Sequence, residues 1–139
     1  MTIGDGVDCS ICARGRPLDV VGEFPTSWVT APAEAPLPGY ACVVAKRHVI
    51  EPFELAETER ILFWEECMTA AAALKRLLRS PKINFEIHGN TIAHLHMHIY
   101  PRYRRDPYEG GAIDGSAKFV RGPAELRRIR TAMLESGAQ

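Results

Sequence analysis

Three histidines alternate with apolar residues in the segment HLHMHIYPR at positions 94–102. A β-strand has a side-chain period of two, so the pattern places His94, His96 and His98 on one strand face and apolar side chains on the other. Imidazole titrates near neutral pH and serves as a base, a nucleophile or a metal ligand. The chain has only 5 histidines, so this concentration indicates catalysis or metal binding.

Cys9 and Cys12 have the C-x2-C spacing with which two thiolates reach one zinc ion across a tight turn. The chain has no second such pair, so further ligands must come from distant positions, and histidines are the candidates. A redox pair is the rival interpretation, although this pair does not open a helix after a strand. Cys42 and Cys67 fall on apolar faces and are interpreted as buried small residues.

Polar residues that could hold an anion precede the three histidines. Gly89 lets the backbone approach a ligand closely, and Asn84, Asn90 and Thr91 can hold phosphate oxygens without net charge. His48 follows a predicted buried strand, and strand ends often line sites. Gly89, Asn90 and Thr91 lead directly into the three histidines, which predicts an anion cradle beside the imidazoles.

Composition limits the function classes. The 139 residues predict one domain, residues 1–139, that is long enough to bury a core. The net charge of zero provides no overall field toward nucleic acid or an anionic membrane, and no apolar run approaches the ~20 residues of a membrane span. Residues 1–8 show no secretory signal, so the 4 cysteines predict reduced thiols or metal ligands, and a cytoplasmic protein is expected.

The secondary-structure pattern predicts an α+β fold with an antiparallel sheet. One long helix is expected over about 53–79, with Glu66 on its polar side, and a C-terminal helix over about 123–135. The apolar side of the long helix is wide enough to leave area for a partner. The predicted strands are Asp19–Glu23, Ser27–Thr30, Tyr40–Ala45, Lys82–Ile87, Thr91–Tyr100 and a short one at Lys118–Arg121.

The segment HLHMHIY matches the motif His-φ-His-φ-His-φ-φ, where φ is apolar, at all seven positions. With its flanks, over roughly residues 9–106, the chain resembles the histidine triad (HIT) family of nucleotide hydrolases and transferases. The resemblance implies a five-stranded antiparallel sheet and, usually, a homodimer. It also implies a nucleotide substrate, which we expect to contain adenosine.

The resemblance further implies a mechanism and its residues. His96 would attack the α-phosphorus of a nucleoside phosphoramidate or a dinucleoside polyphosphate and form a covalent nucleotidyl-histidine. His98, expected to be a cation, would contact the phosphate and the departing group. Asn84, Asn90 and Thr91 match family positions that contact ribose and phosphate. For this attack, the other ring N–H of His96 needs an acceptor, and a backbone carbonyl is expected.

In the zinc-bearing branches of the family, the C-x2-C pair is joined by the first triad histidine and by the histidine after the earlier strand. This implies a structural zinc ion held by Cys9, Cys12, His48 and His94. The triad would then divide, with His94 structural and the other two histidines catalytic.

Two other functions remain open at this point. One is a non-catalytic, zinc-stabilised module that binds nucleotides or protein partners and has no use for His96 and His98. The other is a metal-dependent hydrolase in which all three triad histidines are ligands. A nucleic-acid substrate is disfavoured by the neutral net charge.

Overall fold

The computed structural model describes residues 8–139, so the expectation that the N-terminus lacks a secretory signal lies largely outside the described residues. A five-stranded antiparallel sheet forms the centre of the fold, which confirms the predicted sheet. Its strands are β1 (Val20–Glu23), β2 (Ser27–Thr30), β4 (Ala41–Ala45), β5 (Lys82–Glu86) and β6 (His96–Arg102), and β3 (Glu34–Ala35) and β7 (Phe119–Val120) form a separate pair. The strand order in the sheet is β1-β2-β4-β6-β5.

The two faces of the sheet carry different kinds of side chain, because side chains alternate between the faces along each strand. One face carries Val29, Val43, Met97 and Ile99, all of which are fully buried in the main hydrophobic core. Helices α2 (Glu57–Leu78) and α3 (Pro123–Glu135) pack on this side. The opposite face carries the imidazoles of β6. The pattern of the histidine segment therefore predicted correctly that Leu95, Met97 and Ile99 enter the core.

The long helix begins later than predicted. Helix α2 runs over Glu57–Leu78, and Pro52–Glu54 forms a separate turn of 3-10 helix. The carboxylate of Glu54 accepts hydrogen bonds from the backbone N–H groups of Ile50 and Glu51, which caps the N-terminus of this turn. Leu55 follows in an extended conformation, so the turn does not continue into α2. The C-terminal helix spans Pro123–Glu135, as predicted.

Glu66 does not lie on a solvated helix face, as the periodicity predicted, but is buried against β2. Its carboxylate accepts hydrogen bonds from the hydroxyls of Thr26 and Ser27 at 2.9 and 2.6 Å, and from the backbone N–H of Thr26 at 3.2 Å. Helical periodicity misplaced this residue because its partners lie about 40 residues earlier in the chain. The contact attaches α2 to the start of β2.

The histidine strand also begins later than predicted. Strand β6 starts at His96, so only His96 and His98 lie on the regular strand and His94 precedes it. The backbone of residues 92–95 makes irregular contacts instead, because the N–H of His94 donates to the carbonyl of Ile92 and the N–H of Leu95 donates to Val49. The three histidines therefore do not share one strand face.

A short helix, α1 (Ser10–Arg14), was not predicted, because five residues are too few to show a helical period. Cys9 caps its N-terminus, with the thiol accepting from the backbone N–H of Cys12 at 3.4 Å. Gly15 ends it with a left-handed φ of 78°, a conformation that glycine adopts without steric cost.

Among residues 8–139, no helix is long and apolar enough to cross a lipid bilayer.

We predict that Glu66→Ala lowers the free energy of unfolding by about 3 kcal/mol, because it leaves buried donors of Thr26 and Ser27 without an acceptor. Urea titration followed by circular dichroism measures the change. Glu65→Ala, at the exposed neighbouring position of the same helix, is the matched control and should stay within about 0.5 kcal/mol of the unchanged protein. Equal effects of the two substitutions would contradict a structural role for Glu66.

A Cys2His2 cluster beside a histidine-lined cleft

Four side chains from three distant segments converge at one end of the sheet. Cys9 and Cys12 come from the first turn of α1, His48 follows β4, and His94 precedes β6. Their ligand atoms, the two Sγ and the two Nδ1, all lie within 4.8 Å of one another. The structure thus brings together the four residues predicted to bind zinc, and in the described part of the chain this is the one group arranged to hold a metal ion.

The spacing of these atoms fits tetrahedral zinc. Zn–S bonds of about 2.3 Å and Zn–N bonds of about 2.0–2.1 Å require about 3.6 Å between sulfur and nitrogen, and about 3.3 Å between the nitrogens. His94 Nδ1 lies 3.4 Å from Cys9 Sγ and 3.7 Å from Cys12 Sγ. His48 Nδ1 lies 3.4 Å from Cys12 Sγ and 3.1 Å from His94 Nδ1. The cluster is thus preformed for a metal ion.

The protonation of these side chains also suits a metal. Nε2 of His94 lies 2.6 Å from the carbonyl oxygen of Ala45 and donates its proton there, which leaves Nδ1 free to face the cluster. Burial lowers the pKa of His94, so the ring stays neutral. Burial and the neighbouring Cys9 raise the pKa of the Cys12 thiol, so a metal must displace its proton. The convergence of two imidazoles on the cysteine pair favours metal binding over a redox pair.

His96 lies outside this cluster and lines the neighbouring cleft. Its Nδ1 donates to the carbonyl oxygen of His94 at 2.6 Å, which confirms the expected backbone acceptor. Neutral imidazole carries one proton, so Nε2 of His96 keeps a free lone pair. A metal site made of all three triad histidines is disfavoured, since Nδ1 of His96 is occupied and only His94 joins the Cys2His2 group.

His98 lies beside His96, with 4.9 Å between the ring centroids. Its Nδ1 is 2.7 Å from the hydroxyl of Tyr40. Burial, together with His96 and His88, lowers the pKa of His98 to about 4. In the unliganded protein the ring of His98 is therefore neutral at pH 7, because half-burial disfavours the charged form. The prediction of a cation concerns the site with phosphate bound.

His96 and His98 line a cleft with a volume of about 590 Å³. Gly89, Asn90 and Thr91 line it, as predicted for an anion cradle, and Gly89 has the left-handed φ of 75° that the turn requires. The chain also brings to this cleft residues that the sequence did not single out: Glu86, His88, Tyr100, Ile113 and Lys118.

Asn84 is on the same sheet face as these histidines but outside the cleft lining. It lies two residues before Glu86 on β5, and its side-chain oxygen accepts from Arg102 at 2.8 Å. Arg102 also pairs with Asp106 and donates to the carbonyls of Tyr108 and Gly111, which orders the loop that follows β6. This pairing lowers the pKa of Asp106 to about 2.

Tyr40 is a further site residue that the sequence does not single out. The sequence predicts a strand there, and the period of two puts Tyr40 on the face of Cys42 and Val44. The sequence does not reveal that β4 pairs with β6, which is what brings this face beside His98. The same limitation applies to Lys118 and Ile113, which reach the cleft from a loop distant in sequence.

A sequence model of the HIT domain matches residues 14–105. The chain belongs to the HIT domain family. Similar solved structures agree with the fold of this HIT chain. A histidine triad protein from Bradyrhizobium japonicum is 23% identical, with a TM-score of 0.76 over 84% of this chain and 88% of the other. No curated protein sequence matches significantly.

Two other solved structures share the HIT fold with this chain. A Zn-bound histidine triad family protein from Mycobacterium smegmatis is 19% identical, with a TM-score of 0.70 over 94% of this HIT chain and 96% of the other. A diadenosine triphosphate hydrolase from Plasmodium falciparum, in complex with cyclomarin A, is 17% identical, with a TM-score of 0.65 over 84% and 75% of the two chains. At these identities both likenesses concern the fold.

We predict that the purified protein contains about one zinc per chain. Cys9→Ser should lose the metal and unfold at a lower temperature, because α1 and the loops before β6 and after β4 are no longer joined. His96→Asn is the matched control and should retain the metal, since its ring lies outside the cluster. Metal analysis by mass spectrometry, with thermal unfolding of each variant, measures both effects. Loss of zinc from His96→Asn would contradict the division of the triad.

Proposed function

We propose that this HIT protein is a nucleotide hydrolase or nucleotidyl transferase that cleaves at the α-phosphate through a covalent nucleotidyl-histidine on His96. The observation that carries the proposal is the hydrogen bond of 2.6 Å from Nδ1 of His96 to the carbonyl of His94. It holds the ring as the tautomer whose Nε2 is unprotonated, and the His96 side chain lines the cleft.

The proposed reaction has two displacements. In the first, the lone pair on Nε2 of His96 bonds to the α-phosphorus while the bond from phosphorus to the leaving group breaks and its electron pair departs with that group. In the second, water or another acceptor bonds to phosphorus, and the P–N electron pair returns to Nε2. Dividing one displacement into two in this way lowers the barrier of each.

The remaining residues of the cleft support this chemistry without net charge. The Gly89–Thr91 turn lines the cleft and offers backbone N–H groups and two polar side chains to phosphate oxygens. His98 contacts the departing group through Nε2, because Nδ1 faces Tyr40. Asn84 acts indirectly in this proposal, through Arg102 and the loop after β6.

The zinc ion has a structural role in this proposal. When bound, it supplies rigidity and no open coordination position, since four protein ligands complete a tetrahedral site. His94 is thereby held at both ring nitrogens, and its carbonyl holds His96. The description of the Mycobacterium smegmatis protein as Zn-bound supports the identity of the metal.

We further propose an adenosine-containing substrate, a cytoplasmic location and a single domain over 1–139. The first is supported by the described activity of the Plasmodium falciparum relative. The cytoplasmic location is supported by the 4 cysteines, none of which forms a disulfide. The single domain is supported by the five-stranded sheet, which packs the hydrophobic core on one face and carries the cleft histidines on the other.

Replacing the nucleophile tests the proposed reaction. We expect His96→Asn to fold and keep its zinc but to lose at least about 10³-fold in turnover of diadenosine tetraphosphate or an adenosine phosphoramidate. Intact-protein mass spectrometry after rapid acid quench should show a nucleotidyl adduct on the unsubstituted protein and none on the variant. Unchanged turnover in the variant would contradict His96 as the nucleophile. Binding of nucleotide without turnover in the unsubstituted protein would favour the non-catalytic module.

A homodimer is the other part of the proposal, supported by an unpartnered apolar surface. Phe53, Ile61 and Trp64 line an exposed groove on and before α2, and β5 is an edge strand of the sheet with Phe85 partly exposed. Apolar surface of this kind is typical of interfaces.

Light scattering during size-exclusion chromatography measures the proposed dimer. The unsubstituted protein should elute as a dimer and Trp64→Glu as a monomer, because a charge at the centre of an apolar interface is costly. Leu134→Glu, at an equally exposed apolar position on α3, is the matched control and should remain dimeric. A monomeric unsubstituted protein, or dissociation by both substitutions, would contradict this surface as the interface.

A further inference from the structure

The hydroxyl of Tyr40 is held in place next to the third triad histidine, with 2.7 Å between its oxygen and Nδ1 of His98. Its ring stacks on Tyr100, with 4.9 Å between centroids and an interplanar angle of 20°. The guanidinium carbon of Arg121 lies over the Tyr40 ring, 5.9 Å from its centroid, and the guanidinium donates to the Tyr40 carbonyl at 2.7 Å. Tyr40 is therefore fixed through both its ring and its backbone.

Both members of this hydrogen bond are neutral at pH 7. Burial raises the pKa of Tyr40 well above its usual range, and burial lowers the pKa of His98 to about 4. The hydrogen bond between the Tyr40 oxygen and Nδ1 of His98 therefore contains one proton. The donor is either the hydroxyl of Tyr40 or Nδ1 of His98.

The surroundings of the hydroxyl decide which group donates. The other polar group beside it is the thiol of Cys42, whose pKa burial raises to about 12. A neutral thiol is a weak acceptor, whereas an unprotonated imidazole nitrogen is a strong one. The hydroxyl of Tyr40 therefore donates to Nδ1 of His98, and the single proton of His98 is on Nε2.

The other titratable groups around His98 do not reverse this arrangement. His96 and His88, on the neighbouring positions of the cleft, both lower its pKa. Glu86, which is opposite His98 in the strand register, is 3.3 Å from Nε2 of His88 and interacts with that ring. Protonation of His98 would also force the Tyr40 hydroxyl to turn its own proton toward the weakly accepting sulfur.

We propose that Tyr40 fixes His98 as the neutral tautomer with its proton on Nε2, and that this makes the site selective for substrates whose leaving group departs as a phosphate anion. Tyr40 is a positioning residue in this scheme because it acts through His98. The inference rests on the proposed function for its second half, whereas the tautomer is a property of the unliganded protein.

The selectivity follows from the proton that the leaving group needs. As the bond from His96 Nε2 to phosphorus forms, the P–O bond to a polyphosphate breaks and the electron pair stays on the departing oxygen. A terminal phosphate has a pKa of about 6, so it leaves as an anion and needs only the hydrogen bond from His98 Nε2.

An alkylamine leaving group behaves differently. Its pKa is about 10, similar to that of lysine, so cleavage of a P–N bond requires a full proton on nitrogen. Neutral His98 could provide that proton only by becoming an imidazolate, because Tyr40 keeps its own proton. We therefore expect dinucleoside polyphosphates to react faster than alkyl phosphoramidates.

Nuclear magnetic resonance tests the tautomer without any need for turnover. Zinc-loaded protein with ¹⁵N-labelled histidine gives long-range ¹H–¹⁵N correlations that distinguish a protonated Nε2 from a protonated Nδ1, and His98→Gln identifies the His98 signals. At pH 7 His98 should show the Nε2–H form, and Tyr40→Phe should lose this single tautomer. An Nδ1–H form or an imidazolium in the unsubstituted protein would overturn the proposal.

Kinetics test the selectivity. The unsubstituted protein should turn over diadenosine tetraphosphate faster than an adenosine alkyl phosphoramidate. Tyr40→Phe should lower kcat for the tetraphosphate about 3- to 10-fold with KM unchanged. It should also narrow the ratio of the tetraphosphate rate to the phosphoramidate rate. Without the tyrosine hydroxyl, Nδ1 of His98 can take a proton from water, and Nε2 can then give its own proton to the departing amine. Tyr103→Phe, which removes a hydroxyl bonded to the carbonyl of Pro38 at 2.9 Å, is the matched control and should retain the ratio.

The two experiments separate the possible failures. A phosphoramidate that reacts as fast as the tetraphosphate, or a ratio that Tyr40→Phe leaves unchanged, overturns the selectivity. Absence of turnover for both substrates overturns the proposed function and the selectivity with it, while the tautomer measurement still decides whether Tyr40 orients His98.

Discussion

His94 makes three contacts that the rest of the site depends on, and each uses a different atom. Nε2 donates to the carbonyl of Ala45 at the end of β4, Nδ1 faces the two thiols and His48, and the backbone carbonyl accepts from Nδ1 of His96. A buried imidazole has two ring nitrogens to satisfy, and here both are used. The orientation of His96 is thus coupled to the metal cluster through one residue.

The cleft is organised by neutral hydrogen bonds more than by charge. The chain has no net charge, and the ring of His98 is neutral in the unliganded protein because it is half-buried. What faces a ligand is a set of oriented N–H groups and lone pairs, each held by a partner behind it. His94 stands behind His96, and Tyr40 stands behind His98. Such preorganised dipoles stabilise phosphate charge without reorganising during a reaction.

Much of the fold was predictable from local patterns, and the errors have physical causes. The apolar alternation of Met97 and Ile99 identified the core face of β6, and the proline at the start of α3 marked its first turn. Glu66 was misplaced because helical periodicity counts a carboxylate as solvated, whereas here distant hydroxyls satisfy it. The start of β6 was misplaced because the backbone before it pairs with the segment after β4.

The amino-acid sequence by itself determined the chemistry of the site, since residue type and spacing are local properties. It determined two thiols at metal-binding spacing, three imidazoles in alternation and a glycine turn that leads to them. Only the tertiary structure decided how these groups divide their tasks, because hydrogen-bond partners come from strands paired across long separations. The pairing of β4 with β6 brings Tyr40 to His98, and the approach of α1 brings both thiols to His94. Those contacts decide which nitrogen of each imidazole holds its proton and which is free to react.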